Sequence, residues 1–350
     1  MMRRLAFCGL FVLMLSPCAS ANLGQIGLVL SGGGAKGAYE VGVWQELQDA
    51  GLASNVTVMS GTSVGAINAA LFATKPDAAE ALWFDHIKDV FTLNTNRVGQ
   101  SIQKTLDGIS EAKQVADESG SNWKGVARFL IDVGFRAGSN AVAVVETGAQ
   151  REGYLSSSRL ESALNANLPA VWPTNAPIVY VTALENGIWK TMRWRLNDES
   201  HERRILMIRA SSAIPVGFDT VDIDGKTYVD GGWEKYSGSN SFLRTVFSGW
   251  KEDGGDNTPI TPILENHPEI ETVFVVYLKD AGGLSAEQRN RVRKAAEEKG
   301  VKVVEIIPSE DIGGLLGMGV FDTSPETARR LIDLGRKDAR EALKAVGMAK

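Results

Sequence analysis

IGLVLSGGGAKGA at residues 26–38 and VTVMSGTSVGAINAA at residues 56–70 decide how this chain folds. Each begins as a short apolar run, Ile26–Leu30 and 56–59, of the kind buried on both faces of a sheet. Each then crosses a glycine-rich turn into helical spacing. Residues 38–50 place Val41, Trp44, Leu47 and Gln48 at helical intervals and stop at Gly51, and 64–73 is a helix of small residues that can lie close to a sheet. Strand, helix, strand, helix in so short a span predicts a mainly parallel α/β sheet.

Outward from these units the pattern continues. Residues 178–184 and 189–195 read as successive strands, and 211–228 as a loop and hairpin turning at Asp224-Gly225-Lys226. Residues 272–278 form a strong buried strand, 291–299 a helix, 301–307 another strand and 324–345 a final amphipathic helix. Two stretches break the rhythm. Residues 92–158 are polar, with one amphipathic run near 123–135, and read as an insertion that either covers a cleft or forms ordinary surface helix. Residues 233–257 are aromatic, with Trp233, Tyr236, Phe242, Phe247 and Trp250. They suit an acyl pocket, a peripheral membrane contact, or the packing of an extra element.

The first 21 residues stand apart. A basic head at Arg3 and Arg4, an apolar core over 5–15 and the small residues Ala19-Ser20-Ala21 predict a secretory signal peptide cut before Asn22. The apolar core is too short to span a bilayer. A periplasmic or secreted protein is expected, with lipidation at Cys18 a lesser alternative because Pro17 fits a lipoprotein box badly. Both cysteines, Cys8 and Cys18, fall in this segment, so residues 22–350 offer no disulfide, thiolate metal site or cysteine nucleophile. A net charge of −5 gives no reason to expect nucleic acid. Three histidines, His86, His201 and His267, are scattered, so a histidine metal site is not expected.

The chemistry concentrates in the two turns. Gly61-Thr62-Ser63-Val64-Gly65 has the form of a nucleophile elbow, in which flanking glycines let a strand turn sharply into a helix and hold the serine clear of the sheet. There the helix N-terminus favours developing negative charge. Gly32, Gly34 and Gly37 also satisfy Gly-x-Gly-x-x-Gly, the dinucleotide fingerprint. No carboxylate stands near the end of the second strand to hold a ribose, which counts against a dinucleotide-binding oxidoreductase. The same backbone, Gly32, Gly33, Gly34, Ala35, Lys36 and Gly37, serves as well for an oxyanion hole facing Ser63. Lys36 either adds positive potential for an anionic head group or is a solvated surface lysine.

A serine also needs a base. One arrangement is a triad of Ser63, Asp230 and His267. The chain order fits, but too few strands precede the elbow, and His267 in a polar loop reads as a surface histidine. The other is a dyad in which Asp230, at the head of Asp230-Gly231-Gly232, takes the proton directly. Burial would raise its basicity.

Four blocks in order carry a family resemblance: Gly32 to Gly37 with Lys36, Gly61 to Gly65, Ala210-Ser211-Ser212-Ala213-Ile214-Pro215, and Asp230-Gly231-Gly232. Together they resemble the patatin-like phospholipase family over roughly residues 25 to 345, including a family-like tail from Phe321-Asp322-Thr323-Ser324 into the last helix. The resemblance implies a three-layer α/β/α sandwich with a mainly parallel central sheet. It implies a Ser63–Asp230 dyad, an oxyanion hole from the Gly32–Gly37 loop, and hydrolysis of phospholipid or other lipid esters with no cofactor or metal. Family members often pass from Asp-Gly-Gly into Asn-x-Pro by a short loop, whereas 233–257 intervenes here before Thr258-Pro259-Ile260. The expectation is a serine lipid acyl hydrolase. A lipid-binding protein that keeps the scaffold without the activity is the alternative, and the oxidoreductase ranks behind both.

Overall fold

Among the described residues eight strands make one sheet: β1 (Ile26–Leu30), β2 (Val56–Thr62), β3 (Ile178–Glu185), β4 (Lys190–Arg195), β5 (Val221–Ile223), β6 (Lys226–Asp230), β7 (Thr272–Val276) and β8 (Lys302–Ile306). The computed structural model describes residues 24–91, 155–215, 217–232, 255–279, 284, 286–312 and 323–349. The expected signal peptide over 1–21 lies outside these residues, as do nearly all of the 92–158 insertion and the 233–254 part of the aromatic one.

The strands run in the order β5-β6-β3-β2-β1-β7-β8, with β4 paired to β3. The pairs β1–β2, β1–β7, β2–β3 and β7–β8 are parallel. The β4 and β6 pairings with β3, and β5 with β6, are antiparallel. The helices are α1 (Ala38–Asp49), α2 (Val64–Thr74), α3 (Asp77–Ala81), α4 (Ile87–Val90), α5 (Ser157–Asn167), α6 (His201–Ser211), α7 (Thr261–Asn266), α8 (Ala286–Glu297) and α9 (Pro325–Ala345), with a π-turn segment, Leu82–His86, between α3 and α4.

Strand alternation sorts the core into two layers. On one face, Leu28, Leu30 and Met59 pack with Tyr39, Val43 and Leu47 of α1, Leu71 of α2 and Leu331 of α9. On the other, Val29, Val58, Val273 and Val275 pack with Ile263 of α7 and Val292 of α8. The result is the expected three-layer α/β/α sandwich on a mostly parallel sheet.

The register on β3 decides where the site forms. Tyr180 to Thr182 pair with Ser60 to Thr62 of β2, and Ala183 to Glu185 pair with Asp230 to Tyr228 of β6. Both sets pair with β4 at the same time, over Tyr180 to Glu185. A strand has only two edges, so β2 and β6 share one of them and meet end to end. Thr62 sits opposite Thr182 and Asp230 opposite the next residue, Ala183. Two residues far apart in sequence are thereby brought to one point by consecutive pairings.

Candidate active site

At that point β2 ends and the chain turns into α2 through Ser63, whose φ of 56° and ψ of −124° lie where non-glycine residues are strained. The turn closes only because its neighbours lack side chains. A Cβ on Gly61 would come 2.2 Å from the Gly65 carbonyl oxygen, and one on Gly65 would come 2.4 Å from that of Leu30. The strain is held by a relay in which the Ser63 N–H donates to Ser211 Oγ (2.9 Å) and Ser211 Oγ donates to the Thr182 carbonyl (2.6 Å). The same segment fastens the other arm of the site. The Asp230 N–H donates to Ala213 O at 2.9 Å, and the Gly231 N–H to Ser211 O at 3.3 Å. The block from Ala210 to Pro215 was legible only as a family mark; the structure gives Ser211 and Ala213 their part in the site.

The Asp230 carboxyl is almost wholly buried, with 1% of its surface exposed. Oδ1 accepts the Gly232 N–H at 2.8 Å. Burial pushes its pKa up to about 7, against the pull of the Ser63 hydroxyl and the Gly232 N–H. Ser63 is thus near enough to favour the ionised form, yet Oδ2 makes no closed hydrogen bond among the described residues. The site therefore holds a carboxyl poised near neutrality with one oxygen uncommitted beside a strained serine.

The glycine loop lies over that serine. A Cβ on Gly32 would stand 3.1 Å from Ser63 Cβ, one on Gly33 would meet Leu278 at 2.6 Å, and one on Gly37 would meet Val64 at 2.3 Å. The loop passes into a 3₁₀ turn, Gly34–Gly37, and directly on into α1. Its amides are not equivalent. The Gly32 N–H is committed to Asn257 O (3.3 Å), and the Lys36 N–H to Gly33 O (3.4 Å). Gly33 precedes the turn and Gly34 opens it, where amides have no carbonyl behind them to bond. Of the six residues expected to face Ser63, Gly32 and Lys36 thus have their amides engaged elsewhere. Lys36 is buried, its Nζ donating to Leu278 O at 3.4 Å, which overturns the surface-lysine alternative.

Under the loop sits a buried polar knot. Asn68 Nδ2 donates to Gly37 O (2.9 Å) and to Glu40 Oε2 (2.8 Å), while Trp83 Nε1 donates to Asn68 Oδ1 (3.1 Å). Burial raises the Glu40 pKa well above the carboxylate range, opposed by Asn68 and the Ser31 backbone.

The histidines lie elsewhere. His267 is buried rather than on the surface, its Nε2 3.1 Å from the Tyr180 hydroxyl and its Nδ1 2.9 Å from Glu269. Tyr180 packs in the layer with Val29 and Val58, and its polar hydroxyl supplies the partner that a buried imidazole needs. His201 bonds Pro169 O and Asn165. No hydrogen bond among the described residues joins a histidine to Ser63 or Asp230.

Sequence reading also passed over Asn257. Taken as the last residue of the aromatic insertion, it heads Asn257-Thr258-Pro259, and its side chain lies against both Gly32 and Gly232.

Against known proteins, the sequence model of the patatin-like phospholipase family matches residues 28–235, more than half of the chain, and takes in the loop, the elbow and Asp230. Lysophospholipase nte1 of Aspergillus terreus is 48% identical over 53 residues, 15% of this chain and 3% of the relative. A patatin-like phospholipase domain-containing protein of Caenorhabditis elegans is 39% identical over 71 residues, 19% of this chain and 5% of the relative. The matched segments are therefore a small part of those proteins' length. Among solved structures, VipD from Legionella pneumophila aligns over 92% of this chain and 67% of its own, at 14% identity and a TM-score of 0.42. By the reach of the family match across the loop, the elbow and the Asp-Gly-Gly turn, the chain belongs to the patatin-like phospholipase family.

Proposed function

We propose that the protein is a lipid acyl hydrolase that works through Ser63 and Asp230. The observation that carries the reading is their meeting at one point of β3, a strained serine at a helix N-terminus beside a buried carboxyl with a pKa of about 7. In the first half-reaction Ser63 Oγ bonds to the ester carbonyl carbon as its proton passes to Asp230. The oxyanion that forms lies toward the Gly33 and Gly34 amides and the positive end of α2. Collapse breaks the carbon–oxygen bond to the leaving alcohol, which takes the proton back from Asp230. Water then attacks the acyl-serine, giving its proton to Asp230. Collapse of the second tetrahedral species frees the fatty acid, and the proton returns to Ser63.

A carboxylate is a weak base for a hydroxyl, so the dyad needs both a raised Asp230 pKa and an alkoxide favoured by the helix end. Burial supports the first, and the position of Ser63 at the head of α2 supports the second. Export by the 1–21 segment is part of the proposal, and it rests on the sequence pattern.

The test is a fluorophosphonate probe and an ester panel with purified protein. Ser63→Ala is expected to lose labelling and hydrolysis, and Asp230→Asn to lose hydrolysis. His86, His201 and His267 replaced together by glutamine should leave turnover per folded molecule within about tenfold. A folded triple-histidine variant with no activity would return the triad. A well-folded wild type that binds lipid vesicles but never reacts with the probe would make the protein a binder.

A further inference from the structure

A short strap, residues 256–259, crosses the top of the sheet and touches every part of the site. The Asp256 N–H donates to Gly231 O (2.8 Å), and Asp256 O accepts the Thr62 hydroxyl (2.6 Å). The Gly32 N–H donates to Asn257 O (3.3 Å), the hydroxyls of Ser31 and Thr258 lie 3.2 Å apart, and Ser60 Oγ donates to Pro259 O (2.5 Å). Ser60 and Thr62 are alternate residues of β2, so both hydroxyls rise from one face of the strand to meet the strap. The strap is therefore seated by bonds that do not involve the side chain of Asn257.

That side chain has a different place. It is buried, and Nδ2 donates to the Gly32 carbonyl at 3.2 Å. Its oxygen, Oδ1, has no hydrogen-bond partner among the described residues. A Cβ on Gly32 would lie 2.4 Å from this oxygen, and so would a Cβ on Gly232. The carboxamide is thus wedged between two glycines that serve opposite arms of the site. Gly32 backs onto Ser63, and the Gly232 N–H holds Asp230 Oδ1. Burying an unpaired carbonyl oxygen carries a cost that merely seating the strap does not require.

We infer that Asn257 is a positioning residue for the reaction, fixing the glycine loop over Ser63 and, through Gly232, the orientation of the Asp230 carboxyl. Its side chain meets Gly32 and Gly232, the backbone on either side of the site. The inference rests on the hydrolase reading above. It explains why both contact points are glycine without any need for φ freedom, since neither Gly32 nor Gly232 has a positive φ.

The experiment uses the purified full chain with a chromogenic ester, active-site titration by the fluorophosphonate, and thermal melts. Asn257→Ala is expected to lower kcat on the order of 10²-fold, the scale of a loss from small misplacement of reacting groups. KM should stay within about threefold, with a near-native melt. Asn257→Asp keeps the shape but loses the Nδ2–Gly32 bond and places a second carboxyl near Asp230. It should move the acid limb of kcat/KM to higher pH. Gly232→Ala should be severely impaired in the wild-type background and add little in the Asn257→Ala background, because the clash partner is gone. Unchanged kcat in Asn257→Ala, or a loss matched by the fraction of unlabelled protein with no pH shift in Asn257→Asp, overturns the inference. A wild type that neither hydrolyses esters nor labels at Ser63 defeats the hydrolase reading and the catalytic role with it. The melts of the Gly232→Ala pair still decide whether the wedge exists.

Discussion

A carboxyl buried with no cation beside it resists ionising, and among the described residues Asp230 is in that position. Its folded pKa of about 7 stands above the ordinary 3.8, so between those values the folded chain binds more protons than the unfolded one. Stability then falls as pH rises through that window, and above pH 7 the ionised carboxyl is a standing liability. The gap amounts to on the order of 4 kcal/mol at most. Asp230→Asn removes the liability and keeps the shape. It should melt higher than wild type at pH 8, with the difference vanishing near pH 4, while hydrolysis is lost. Activity runs the opposite way. In the proposed dyad the base must be ionised, so kcat/KM of the wild type should climb through a midpoint near pH 7. A pH series of melts beside a pH–rate profile checks both, and a variant less stable at pH 8 than at pH 4 relative to wild type would contradict the assignment of that pKa.

Among the elements, α1 and α2 are joined beneath the glycine loop by Glu40, Asn68 and Trp83. Burial raises the Glu40 pKa well above its ordinary value, which favours the neutral form as the hydrogen-bonding partner of Asn68. Glu40→Gln should fold and hydrolyse much as wild type does at neutral pH. Glu40→Ala leaves Asn68 short of a partner and should cost about 1–3 kcal/mol with a loss of turnover. Since the folded pKa of Glu40 is raised, wild-type stability should decline as pH rises above the ordinary carboxylate value and through the folded one, and Glu40→Gln should flatten that decline in urea titrations. How far such elements were legible varied with what positioned them. The two strand–turn–helix units were readable because apolar runs and glycines act locally, and the last helix because its apolar stripe is regular and Ser324 caps Thr327. The strand read as 56–59 runs on to Thr62, since Ser60 and Thr62 are paired through the strap rather than through apolar packing. His267 was misjudged, and Lys36 was left open between two readings, because their partners, Tyr180 and the Leu278 carbonyl, are remote in sequence. Asn257 was passed over because it was counted with the aromatic insertion, although Asn257-Thr258-Pro259 has the form Asn-x-Pro. α6 lies over His201–Ser211, where charged residues mask a modest apolar face.

At the scale of the whole molecule, the loop is held from behind by the chain's last long helix. α9 packs on α1, which continues directly from the loop, and the two cross with their backbones almost touching. A Cβ on Gly42 would lie 1.9 Å from the Ile332 carbonyl oxygen, and one on Gly335 would lie 2.1 Å from that of Tyr39. Around the crossing, Arg340 bonds Glu46 through two nitrogens at 2.9 and 2.7 Å, and the Tyr39 hydroxyl donates to Asp338 at 3.1 Å. Two effects oppose each other in Gly42→Ala. Helix propensity favours alanine by about 1 kcal/mol. The added methyl, however, meets backbone rather than a flexible side chain, so the helices must part. Overpacking of this kind costs typically about 1–3 kcal/mol, with the Arg340–Glu46 pair and the Tyr39–Asp338 bond strained as well. The clash is deep enough that packing should win. Gly42→Ala and Gly335→Ala should each lower the urea midpoint with an unchanged m-value, corresponding to a net loss of about 2 kcal/mol. Turnover per folded molecule should fall as well, because α1 carries the loop with it when it moves. A Gly42→Ala protein as stable as wild type would show that the crossing is looser than these distances require, and that α9 does not brace the site.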